Sequence, residues 1–80
     1  RKNPLFLNIW KQEVDSLFPL QSYFIQFPEE YFAETFAMYY YNNQTKLTLQ
    51  EKAPLTFTFI RSLETQAAEL RKNIYVNSQY

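Results

Sequence analysis

The chain has no histidine, no cysteine and no glycine among its 80 residues. Without histidine there is no imidazole base and no imidazole metal ligand. Without cysteine there is no disulfide framework, no thiolate nucleophile and no thiolate metal site. The lack of glycine fits a mostly helical chain with few sharp turns. Charge of either sign is also not in excess: eight basic and eight acidic residues leave a formal net charge of zero. Electrostatics therefore offers no argument for nucleic acid or an anionic membrane surface. No apolar run approaches the roughly 18 residues of a spanning helix, so no membrane span is expected. The opening Arg1-Lys2-Asn3-Pro4 carries neither an initiator methionine nor a signal-peptide pattern. A segment excised from a longer protein is the expectation there, with no targeting segment of its own.

What the chain has in quantity is aromatic residues, 20% of the total, as eight Phe, seven Tyr and one Trp. Its length allows one small domain or part of a larger one. A chain of this size buries about 60% of its unfolded surface and is marginal alone. Phe6, Ile9, Trp10, Val14, Leu17 and Phe18 recur at three- and four-residue spacing, the buried stripe of an amphipathic helix. Pro4 suits the first helical position with Asn3 as its cap, and Pro19 ends the run. The first helix is predicted over 4–17.

A second helix is predicted over 28–41, and it carries the most suggestive pattern in the chain. Pro28 opens it and Glu29 and Glu30 fill its first turn, where the helix dipole favours negative charge. Glu30 and Glu34 are four apart, so both carboxylates lie on one face, beside the small Ala33 and Ala37. Like charges so spaced weaken an isolated helix by a few tenths of a kcal/mol. Either a cation or donor waits opposite them, or they form an ordinary solvated edge. Phe32, Phe36, Tyr39 and Tyr40 make a bulky second face suited to a core. Asn42-Asn43 is the expected stop, since asparagine tolerates the left-handed conformation.

Between these helices, residues 20–27 read as an uncharged, unusually apolar connector whose one ionisable side chain is Tyr23. Its ring could simply pack with the hydroxyl in water. Thr48 and Glu51 fit a capping box, but Pro54 could not sit inside the helix they would open. A short turn over 49–52 is predicted, then a third helix over 54–72 closed by Arg71 and Lys72. Residues 73–80 are expected to fray as a tail. The fold class expected is all-α, with three principal helices and little or no sheet.

The string Glu30-Tyr31-Phe32-Ala33-Glu34-Thr35-Phe36, with Tyr23 seven residues upstream, resembles the third-ligand helix of the anthrax lethal factor-like zinc metallopeptidases. That family includes the clostridial Pro-Pro endopeptidases. The run from Lys52 through Pro54 to Ile60 is similar to the opening of the family's last helix, and Phe6-Leu7-Asn8-Ile9-Trp10-Lys11 is more loosely similar to the helix after its His-Glu-x-x-His helix. The resemblance implies the C-terminal helical part of a zincin-like catalytic domain. It places Glu30 on the carboxylate zinc ligand, Tyr23 on the tyrosine that hydrogen-bonds the developing oxyanion, and Glu34 on the acidic residue that orients a ligand histidine. Glu29 has a less specific counterpart and reads as surface.

The chain departs from that pattern where it matters: it has no histidine, so no His-Glu-x-x-His motif. The expectation is a fragment of a secreted, toxin-like zinc endopeptidase acting on peptide or protein substrate. Zinc would be held by the complete domain, and this segment alone would be inactive and hold none tightly. The alternatives are a non-catalytic helical interaction module and a small structural three-helix domain. In isolation the aromatic surplus is expected to drive self-association, most simply a two-fold dimer through Trp10, Phe24, Phe27 and one of Tyr39 to Tyr41.

Overall fold

Prolines set the corners of this chain. The residue before a proline is steered away from helical geometry, and Phe27 before Pro28 (φ −122°, ψ 94°) and Ala53 before Pro54 (φ −142°, ψ 67°) both break helices. The computed structural model describes the backbone of residues 4–77 and the side chains of residues 4–72. Its elements in order are α1 (Pro4–Leu17), α2 (Ser22–Gln26), α3 (Pro28–Tyr41), α4 (Asn43–Lys52) and α5 (Pro54–Asn77). The described residues are all-α, without strand.

The first and second predicted helices have the expected bounds and the third starts where expected. Three local readings need correction. The connector over 20–27 contains α2, five residues long. The turn over 49–52 is the end of a ten-residue helix, α4. Asn42 explains that: it is extended (φ −161°, ψ 176°) rather than left-handed, and caps α4. Its Oδ1 accepts from the Thr45 N–H at 2.8 Å, while Thr45 Oγ1 accepts from the Asn42 N–H at 3.3 Å and donates to the Met38 carbonyl at 2.7 Å. Thr48 is mid-helix and donates to the Gln44 carbonyl instead of capping. Finally, α5 continues past the expected end at 72 to Asn77, so only 78–80 of the expected tail lie outside the described residues. Leu20 is the departure from ordinary backbone geometry, at φ 61° and 96% exposed. A left-handed leucine costs about 1–2 kcal/mol and lets the chain reverse immediately after Pro19.

Helices α1, α3 and α5 pack against one another, and α4 closes over the far end of α3. One part of the core joins Phe6, Val14 and Tyr31, with Trp10, Phe18, Phe24 and Phe59 at its margin. The other joins Tyr39, Leu49, Ala53, Phe57 and Ile60. Leu17 and Phe32 touch both parts. The face that α3 buries is shifted from the expected one: Tyr39 is inside and Phe32 packs on the core as expected, but Tyr31 and Thr35 are inside too, whereas Phe36 and Tyr40 are 40% and 51% exposed. Tyrosine can be buried here because each inward hydroxyl finds a partner. Tyr39 donates to Glu64 Oε1 at 2.9 Å, and Tyr31 lies 2.8 Å from Thr56 Oγ1.

That last contact belongs to a buried junction. Glu13 of α1 accepts from the Leu55 N–H at 2.7 Å, the Thr56 N–H at 2.8 Å and the Thr56 hydroxyl at 2.7 Å. The Thr56 proton is thus committed to a carboxylate, so Tyr31 must be the donor in its own bond to Thr56. No buried side-chain N or O among the described residues lacks a partner.

Two outcomes follow from this junction. Glu13→Ala strands the first N–H groups of α5 and should cost about 2–4 kcal/mol in chemical denaturation, with Glu13→Gln costing less. Burial, aided by the Glu13 charge, pushes the Tyr31 phenol up to about 12; Tyr39 is pushed to about 12 by loss of solvent and by Glu64. Both phenols titrate near 10 when unfolded, so the stability they contribute is complete below pH 10 and lost as pH rises towards 12. Alkaline denaturation curves should show that loss, and Tyr31→Phe should reduce it.

Candidate functional site

The residues singled out in the sequence meet at the corner between α2 and α3. Phe27 is shared by both helices. Its N–H donates to the Tyr23 carbonyl at 3.1 Å, and its carbonyl accepts from the Glu30 N–H at 3.0 Å. Two backbone hydrogen bonds therefore fix the turn carrying Tyr23 relative to the turn carrying Glu30. The Tyr23 ring packs edge-on to Phe24 at 5.5 Å and against Phe27 at 5.6 Å, and remains 54% exposed. Its phenol is held above the ordinary value of 10, first by apolar neighbours that displace water, then by the charge of Glu30 and a hydrogen bond to that carboxylate. Tyr23 and Glu30 are thus neighbours across the corner, and the phenol keeps its proton at neutral pH.

Glu34 lies one turn further along α3 and is exposed. With Ala37, Met38, Tyr40, Tyr41 and Thr45 it lines a shallow open groove that includes neither Tyr23 nor Glu30. Glu30, Ala33, Glu34, Ala37 and Tyr41 form one continuous exposed strip on α3, and Glu29 is exposed beside it. Of the residues expected at a contact between copies, Trp10 bonds to Phe24 within the chain and Tyr39 is buried; Phe27, Tyr40 and Tyr41 remain exposed.

A catalytic zinc site takes three protein ligands and leaves a position for water. Among the described residues no three His, Cys, Asp or Glu side chains converge. The donors present do not fit a zinc centre by themselves; what they offer is one accessible carboxylate, Glu30, with a phenol beside it. Sequence reasoning missed the residues that support this pair. Tyr31, next to Glu30, is fully buried against Thr56 and Glu13, and Trp10 reaches α2 from α1. Glu13 had a legible signal, since it continues the Phe6–Ile9 stripe at helical spacing. Trp10 had none beyond its place on that stripe.

Residues 1–63 match the family model described as anthrax toxin lethal factor, N- and C-terminal domain. The chain belongs to the anthrax toxin lethal factor family. The matched stretch takes in α1 to α4, the start of α5, and all of Tyr23, Glu30 and Glu34. Two relatives named Pro-Pro endopeptidase are similar to it. The one from Clostridioides difficile is 39% identical over 62 residues, covering 78% of this chain and 28% of that protein. The one from Paenibacillus alvei is 34% identical over 58 residues, covering 72% of this chain and 27% of that protein. The chain thus spans little more than a quarter of either relative's length. No solved structure matches it.

The corner geometry makes a direct prediction. Tyr23 should titrate above 10 in a pH-resolved NMR experiment, and Glu30→Gln should lower its pKa, because the mutation removes the negative charge that opposes phenolate. A Tyr23 pKa that ignores Glu30→Gln would contradict the contact.

Proposed function

We propose that this chain is the C-terminal helical part of a zincin-like catalytic domain, from a secreted, toxin-related zinc metalloendopeptidase that cleaves peptide or protein substrates. The observation that carries the reading is the Tyr23–Glu30 pair, set at one corner inside a stretch that matches the lethal factor family. In this reading Glu30 is the carboxylate zinc ligand, completed by two imidazoles from elsewhere in the longer protein. Bound zinc supplies Lewis-acid polarisation of the scissile carbonyl and activation of water. Tyr23 supplies a neutral donor for the oxyanion that develops on that carbonyl; its raised pKa keeps the proton in place at working pH. Glu34, one turn on and exposed on the same face, orients a ligand imidazole through its free N–H. By itself the chain holds one such ligand and is inactive.

The exposed strip of α3 supports this assignment. It alternates carboxylates with alanines, so a neighbouring element can approach closely and meet acceptors. The rest of the catalytic domain covers that strip in this reading. A second reading draws on the exposed Phe27, Tyr40 and Tyr41 that flank it: a non-catalytic helical module using the same face for a protein partner. Made alone, the chain presents this face to a second copy, as a two-fold dimer. A His-Glu-x-x-His motif in the longer protein decides for the peptidase.

In that longer protein, Glu30→Ala should abolish zinc retention, measured by metal analysis, together with peptide cleavage. Tyr23→Phe should retain zinc and fold and lower kcat by roughly 10- to 1000-fold, the scale of losing one oxyanion donor. Loss of zinc from the Tyr23 variant would show that its role is structural.

A further inference from the structure

Tyr23 sits on an element that cannot hold itself. Helix α2 is five residues long, has no side-chain N-cap, and none of its residues is fully buried. Isolated helices several times longer are marginal in water. It is entered through a turn with Leu20 at φ 61°, a conformation kept only where the surroundings impose it. At its other end α2 runs into Pro28, and this leaves a specific defect. The Phe24 carbonyl would take its helical hydrogen bond from the N–H of residue 28, and proline has none.

Trp10 supplies the missing donor. Its indole Nε1–H, reaching from α1, donates to the Phe24 carbonyl at 2.8 Å. Phe18 stacks on the Phe24 ring at 4.3 Å from the same side of the chain reversal. Phe24 is adjacent to Tyr23, and the Phe27 N–H closes back on the Tyr23 carbonyl. This hydrogen bond from α1 to α2 therefore lands one residue from the phenol.

We infer that Trp10 is a positioning residue for Tyr23: its indole N–H replaces the backbone donor that Pro28 lacks, and so locks α2 and aims the phenol at the Glu30 corner. The inference rests on the role proposed above for Tyr23, and it assigns that role a support outside the local motif. Trp10 itself touches neither substrate nor metal.

The test uses the longer protein that contains this chain, with W10F, Y23F and the double variant. W10F keeps a ring in the half-buried site and removes the donor; W10M serves the same purpose should the Phe variant fail to fold. W10F should leave zinc content and KM unchanged and lower kcat about tenfold, as expected for one lost hydrogen bond. In the Y23F background the same change should alter kcat by less than about twofold, because the group it positions is already gone. Hydrogen–deuterium exchange should quicken in residues 22–27 of W10F and not in α3. Equal losses of kcat in both backgrounds, a W10F kcat like the parent's, or unchanged exchange over 22–27 would each overturn the inference. Failure of the functional reading looks different: Y23F alone would leave kcat intact. The exchange measurement then decides for Trp10, with faster exchange confined to 22–27 upholding its hold on α2 and unchanged exchange refuting it.

Discussion

The carboxylate of Glu13 is the point on which the other elements depend. Burying a carboxylate is expensive, several kcal/mol even after relaxation, unless its lone pairs are met by good donors. Here three are supplied, two of them N–H groups at the start of α5, where the helix dipole adds to the attraction. Ala53 before Pro54 has no side chain able to cap α5, so Glu13, 42 positions before Leu55, does it. The capping group and the tertiary contact are thus one object. Thr56 passes the connection to Tyr31, so α1, α3 and α5 are fastened together at a single buried place. Because Tyr31 is fixed inward there, Glu30, about 100° round the helix from it, is fixed outward.

Proline does the complementary work of saying where helices must stop. Pro28 forces Phe27 out of helical geometry, and the resulting corner folds the Tyr23 turn back beside the first turn of α3. A continuous helix from 22 to 41 would set residues 23 and 30 about 10 Å apart along its axis, nearly two turns. The break is therefore what makes the phenol and the carboxylate neighbours. Its cost is the unpaired Phe24 carbonyl, and the indole of Trp10 removes that cost from across the fold. Corner, defect and repair come from one proline.

Much of this was legible in the sequence, and the misses share a cause. The bounds of α1 and α3 and the start of α5 are local matters of periodicity and of proline at the first helical position, and they read directly. Helix α4 did not, because its residues show little segregation of polar and apolar faces, and the Thr48–Glu51 pattern offered a competing start. The buried face of α3 was expected on Phe32, Phe36, Tyr39 and Tyr40, which left out Tyr31 and Thr35 and included the exposed Phe36 and Tyr40. Tyr31 and Tyr39 go inside on the strength of partners, Thr56 and Glu64, that lie 25 residues away and carry no local signal. The candidate site divides in the same way. Its visible residues, Tyr23, Glu30 and Glu34, lie in one short motif; the residues that aim them, Glu13, Thr56 and Trp10, are scattered.

The uncovered strip of α3 is best understood through what it omits. A helix enclosed on all sides by packing alone is apolar all round, whereas this helix has an aromatic half turned towards α1 and α5 and a strip of Glu30, Ala33, Glu34, Ala37 and Tyr41 left open. On this strip two alanines alternate with two carboxylates at helical spacing. Those alanines remove bulk at the places where a second element would have to come within reach of the acids. Nor does the bundle itself need the strip, since every buried polar side-chain atom among the described residues is already satisfied within the chain. The chain thus spends its buried polar groups on orientation and leaves its accessible carboxylates unencumbered by the core. Under the proposed function, that openness is what lets the segment contribute aim and one ligand while the remaining donors come from another part of a larger domain.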